Sequence, residues 1–135
     1  AQLEVKVFAS VDSEMADDVA KKRFGKVIDM MRDPEKCTFA FVMYPESTPI
    51  VESHRAMDEL RTVGIEPGLV IANQVLPDEA CTTTYAKARR RMQLKYLDEM
   101  KRRFTVPILT VPLLPREISG REMLIDLGDR LFEGV

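Results

Sequence analysis

The spacing of apolar residues changes period several times along the chain, and each change predicts an element. Residues 3–8 alternate apolar and polar, the pattern of a short strand or an extended arm. Asp12 or Ser13 can then cap a helix in which Ala16, Val19, Phe24, Val27, Ile28 and Met31 recur on one face. Asp33-Pro34 ends that helix, because proline disfavours helical backbone in the residue before it. Residues 38–44 are apolar throughout, which predicts a strand covered on both faces. Thr48-Pro49 reads as an N-cap followed by the first helical residue. That helix runs to about Val63 with Ile50, Met57 and Leu60 inward, and Gly64 supplies a left-handed stop.

Residues 69–72, ending at Asn73, predict a second buried strand, and 77–84 a polar loop. The longest helix follows, to about Arg103, with a stripe of Tyr85, Ala88, Met92, Tyr96, Met100 and Phe104. Residues 106–111 predict the third strand and Pro112-Leu113-Leu114-Pro115 a rigid loop. Ser119 and Glu122 form an S-x-x-E capping box, and Met123, Leu124, Leu127 and Leu131 give the last helix its buried face. Strands alternating with helices imply right-handed βαβ crossovers and an α/β fold, with a parallel sheet of about three strands flanked by helices. Ligands of such sheets bind beyond the carboxyl ends of the strands. The loops there are 45–48, 73–84 and 112–120.

Composition narrows the function classes. The chain has 135 residues, 45% hydrophobic and 31% charged, enough to build a core and unlike a disordered or coiled-coil chain. Its longest apolar runs fall well short of the roughly 20 residues that span a bilayer, so no direct membrane insertion is expected. A net charge of −2 argues against bulk binding of nucleic acid. Two cysteines and eight methionines without a signal peptide point to a reducing cytoplasm. Cys37 reads as a core thiol and His54 as a structural or surface residue, and no metal-ligand spacing is present. The basic clusters 21–23, 89–91 and 101–103 point around their helices and read as solvated faces. Ala1 in place of an initiating methionine reads as a processed or truncated chain.

The nucleotide chemistry of parallel sheets usually rests on a glycine-rich phosphate loop. Here Gly25-Lys26 is followed by Val27 and Ala20 stands where the first glycine would be, so these residues form no phosphate cradle. No G-x-S-x-G elbow is present either.

Tyr44-Pro45-Glu46-Ser47-Thr48-Pro49-Ile50, Ala72-Asn73-Gln74-Val75, Met92-Gln93 with Lys95-Tyr96-Leu97, and Val111-Pro112-Leu113-Leu114-Pro115-Arg116-Glu117-Ile118-Ser119-Gly120 carry a specific resemblance. Together with Arg32-Asp33-Pro34 and Ala88-Arg89, they resemble the C-terminal half of the ATPase domain of the arsenite-pump ATPase (ArsA) family, in order over about 27–132. That family includes the ATPases that target tail-anchored membrane proteins. The resemblance implies a deviant-Walker P-loop NTPase of three layers, with ATP or ADP and Mg²⁺ in the parent protein. It implies a homodimer, and a membrane pump subunit or a tail-anchored client as partner. Asn73 matches the asparagine that reads adenine. Pro112, Leu113, Leu114, Pro115 and Glu117 match the loop that wraps the base, and Glu46 an acidic residue near the nucleotide. Residues 1–35 would be an arm and helix of the helical, client-binding subdomain, and 36–135 the C-terminal half of the ATPase domain.

The family's phosphate loop and switch residues have no counterpart in the sequence, so the chain alone is not expected to hydrolyse ATP. Thr83 and Ala86 stand where the targeting branch has a zinc-binding CxxC, and the arsenite-binding cysteine trio is absent. The competing expectations are a non-catalytic binding or dimerisation module for hydrophobic segments and an unrelated flavodoxin-like domain. Uncovered sheet edges and one bare apolar face also predict self-association.

Overall fold

In the computed structural model, which describes residues 18–132, the apolar runs become three short strands joined by helices. The chain divides into two compact units, 1–37 and 38–135. In the first unit, helix α1 (Asp18–Arg32) leaves Phe24, Val27 and Met30 exposed. The arm expected at 3–8 and the capped helix start at 12–17 lie outside the described residues. The α1 helix stops before Asp33-Pro34, as the proline requires. Asp33 Oδ1 accepts the Glu35 N–H at 3.0 Å, while its Oδ2 pairs with Lys36. The Lys36 ammonium, helped by the Glu35 N–H, holds the Asp33 carboxyl below its ordinary pKa.

The second unit runs β1 (Phe39–Met43), α2 (Ser47–Thr62), β2 (Pro67–Val75), a 3₁₀ turn (Asp78–Ala80), α3 (Thr84–Arg103), β3 (Ile108–Pro112) and α4 (Gly120–Phe132). The strands form one parallel sheet in the order β1-β2-β3. Parallel neighbours need long crossovers, and α2 and α3 supply them. The α/β expectation holds, with a parallel sheet of three strands and flanking helices.

The core is built on one sheet face. Met43, Val70 and Ala72 meet Ile50 and Met57 of α2 and Leu97 and Met100 of α3, with Phe104 just beyond that helix. The other face is different. Register aligns Val42 with Ile71 and Ile71 with Leu109, an apolar row across all three strands. Val42 is 59% exposed, so the run at 38–44 is not covered on both faces among the described residues. The apolar composition of the run reports two faces that avoid water, and among the described residues the second is covered only in part: Ile71 and Leu109 are half-buried while Val42 lies open. We therefore expect the chain to sediment as concentration-dependent dimers or larger species, and Val42→Lys to shift it to monomer. A wild-type chain sedimenting as a monomer throughout would contradict this.

Helix ends follow local chemistry, with shifts from the sequence expectation. The α2 N-cap is Glu46 rather than Thr48. Pro49 therefore falls within the first turn, where its missing N–H has no intrahelical partner to lose. At the other end Gly64 (φ 80°) reverses the chain. The Ile65 N–H reaches Leu60 O at 3.1 Å and the Gly64 N–H reaches Arg61 O at 3.0 Å, a Schellman closure. Thr83 caps α3 by accepting the Ala86 N–H at 3.1 Å.

Two expected stripes are corrected. On α3 the expected Met100 and Phe104 are buried and Met92 and Tyr96 half-buried, but Gln93 and Leu97 join the buried face, while Tyr85 is 79% exposed and Ala88 is exposed too. A polar residue occupies a core-facing position, and counting apolar residues passes over it. On α4 no residue is fully buried and Leu124 is exposed, with Met123, Leu127 and Leu131 half-buried. At the start of α4 the Ser119 N–H donates to Met123 Sδ at 3.5 Å, a partner the capping-box pattern does not foresee. Cys37 is half-buried and not the fully buried thiol expected. His54 lies against the Phe104 ring with its Nδ1 3.3 Å from Asp58 Oδ2, a structural placement.

Candidate functional site

The carboxyl ends of the strands deliver the predicted site residues. After β1, Pro45 is fully buried and fixes the departure of the chain, and the Glu46 N–H bonds to Tyr44 O at 2.8 Å. At the end of β2, Asn73 is half-buried and Gln74 adopts φ 56°, a left-handed conformation uncommon outside glycine. The ladder with β3 shifts register at this point, between Ala72 and Val75. Asn73 Oδ1 accepts the Gln74 N–H at 3.0 Å, which fixes the orientation of the carboxamide.

The third segment is tied to the second. Val75 pairs with Pro112, and the Leu113 N–H bonds to Val75 O at 2.8 Å. The structure thus brings Asn73 and the start of the 112–117 segment to one end of neighbouring strands. Beyond Leu113, Leu114 is half-buried while Pro115, Arg116 and Glu117 are exposed. Pro112 and Pro115 have no N–H, and that of Leu113 is occupied. The backbone donors for a ligand therefore narrow to Leu114, Arg116 and Glu117. Glu46 is placed differently from the other candidates, for its carboxylate pairs with Arg89 of α3.

Helix α3 ties these segments in place. Arg89 holds Glu46, and Arg90 donates to Leu76 O and pairs with Asp78 at 3.1 Å. Gln93 accepts the Leu76 N–H at 2.8 Å and donates to Gln74 O at 3.0 Å. Arg89 and Arg90 are therefore not a solvated face, as consecutive basic residues suggested, while Arg91 is exposed. An open groove of about 450 Å³ beside this clamp, between Cys81, Lys87 and Arg91, shares Arg90 as part of its wall. Sequence reasoning gave Arg89, Arg90 and Gln93 no site role. Their signal was a polar residue at a core-facing position, with two arginines three and four residues before it.

The Asn73 carboxamide suits a purine edge. Its Nδ2 has no acceptor among the described residues and can donate to a ring nitrogen. Its Oδ1 keeps a second lone pair for an exocyclic amine.

A three-stranded parallel sheet with helical crossovers defines an α/β domain, and ligands of such sheets bind beyond the carboxyl ends of the strands. The profile of one such family, described as Anion-transporting ATPase, matches residues 4–133. The chain belongs to this ArsA ATPase family of P-loop NTPases. It is 42% identical over 107 residues to a Halobacterium salinarum protein provisionally named arsenical pump-driving ATPase, covering 78% of the chain and 17% of that protein. It is 39% identical over 95 residues to ATPase GET3A of Arabidopsis thaliana (69% and 27%). It is 30% identical over 115 residues to ATPase get3 of Pyrenophora tritici-repentis (84% and 34%). The chain thus spans between 17% and 34% of the length of these relatives. Among the described residues no helix is long and apolar enough to cross a membrane.

Proposed function

We propose that the chain supplies the base-recognition half of the ATP site in a cytoplasmic, homodimeric ATPase of this family. Asn73 reads the adenine edge. The segment Pro112, Leu113, Leu114, Pro115 and Glu117 wraps the base, and Glu46, held by Arg89, stands at the border of the site. The phosphates and Mg²⁺ are held by polypeptide outside this sequence, because hydrolysis needs phosphates, metal and attacking water positioned together. One observation supports this reading: the Val75–Pro112 pairing and the Leu113–Val75 hydrogen bond bring the end of the strand that carries Asn73 alongside the start of the 112–117 segment.

A second reading rests on α1. Its exposed Phe24, Val27 and Met30 form an apolar face suited to hydrophobic segments of a tail-anchored client or a membrane pump subunit. That function needs no nucleotide.

Equilibrium titration separates the two. If only the base is gripped, ATP, AMP and adenosine bind the 135-residue chain with dissociation constants within about threefold of one another. No ATP turnover accompanies binding. A preference for ATP over adenosine of about 100-fold would reveal a phosphate site and overturn the proposal. Failure of all three ligands to bind would favour the apolar-segment reading.

A further inference from the structure

Gln93 is the one polar residue in the buried set of the described residues, only 5% exposed, and both ends of its carboxamide are used. Neither bond is local: the partners lie 17 and 19 residues earlier in the chain. They bracket Val75, the residue that pairs with Pro112. The bond to Gln74 O falls on the very residue in the left-handed conformation. A glutamine side chain gains little from φ 56°, so the surroundings must hold it there. Gln93 and the Asn73–Gln74 bond act on Gln74 directly, while the Leu113 bond to Val75 O holds the next residue. Arg90 reinforces the first by bonding to Leu76 O.

We propose that Gln93 is a positioning residue for base recognition. By holding Gln74 O and the Leu76 N–H, it locks the Gln74 turn that presents the Asn73 carboxamide to the purine. Gln93 itself touches no ligand. It acts from the helix beneath the loop, so the angle of the base-reading group depends on the seating of α3. The inference rests on the base-recognition reading of Asn73 given above. It assigns a role to a side chain that a purely apolar core would not contain, since a buried amide is retained only where its partners need it.

Gln93→Met keeps the volume of the side chain and removes both hydrogen bonds. In the full 135-residue chain, we expect it to raise the dissociation constant for adenosine about tenfold. Amide exchange at Gln74 should also accelerate about tenfold relative to Val70, whose N–H bonds to Pro107 O in the core. A merely structural role would move both amides together. Adenosine affinity equal to wild type, or Gln74 exchange changing only in step with Val70, overturns the proposal. Asn73→Ala serves as the control. If it binds adenosine as wild type does, the base-reading role itself is wrong, and the positioning role falls with it. If Asn73→Ala loses adenosine while Gln93→Met keeps it, only the positioning role falls. Should Gln93→Met not fold, the wild-type chain still decides. Its Gln93 side-chain amide signals should shift on saturation with adenosine, and unshifted signals overturn the proposal.

Discussion

Met100→Ala lowers the free energy of unfolding by about 3 kcal/mol, while Tyr85→Ala on the same helix changes it by less than about 0.5 kcal/mol. Met100 is wholly buried and packs in the cluster that joins α2, α3 and the sheet. Truncation removes the transfer free energy of its side chain and leaves a cavity, and such changes cost about 2–5 kcal/mol. The neighbouring Met43 and Met57 are flexible and refill part of the space, which keeps the expected loss toward the lower half of that range. A single domain typically holds about 5–15 kcal/mol in all, so the variant forfeits a large fraction of it. Urea unfolding followed by circular dichroism measures the difference. Met100 belongs to both the expected stripe and the observed face, so the comparison tests the first turn of α3, where Tyr85 is exposed instead of buried. A larger loss at Tyr85 than at Met100 would show that the first turn of α3 is packed into the core.

That contrast marks what the sequence makes legible. The strand at 39–43 announces itself because an unbroken apolar run has few other homes, the strand at 108–112 is mostly apolar with Thr110 as its break, and Gly64 marks the end of α2 because its conformation suits little else. The alternation of strand and helix was likewise sufficient for the parallel sheet. The place of Gln93 in the buried face of α3 was not legible, because it depends on backbone partners outside the helix. The length of β2 was hidden for a related reason: Asn73 and Gln74 are polar, yet ladder pairing at Val75 carries the strand past them. Of the candidate site, Asn73 and the 112–117 segment were singled out together through the family resemblance and the topological rule for strand ends. The Glu46–Arg89 pair and the Arg90 and Gln93 ties needed coordinates. Side chains that act on distant backbone leave no periodic trace.

The second large effect concerns Asn73, and with it the claim that two adjoining loops grip the base. Removing the carboxamide deletes a donor and an acceptor that no neighbouring side chain replaces. A hydrogen-bonding site that loses its partner typically weakens by about 1–3 kcal/mol, or roughly 5- to 150-fold in affinity. Asn73→Ala leaves the core packing intact, because the side chain is half-buried and lies outside the core cluster, although it also releases the Gln74 N–H. The most direct measurement is titration of the ¹⁵N-labelled chain with adenosine. Base recognition by both loops gives saturable shifts of the Asn73 side-chain amide and of the Leu114, Arg116 and Glu117 backbone amides, all with one dissociation constant, and their loss in Asn73→Ala. Shifts confined to one of the two segments, or unchanged by Asn73→Ala, would contradict it.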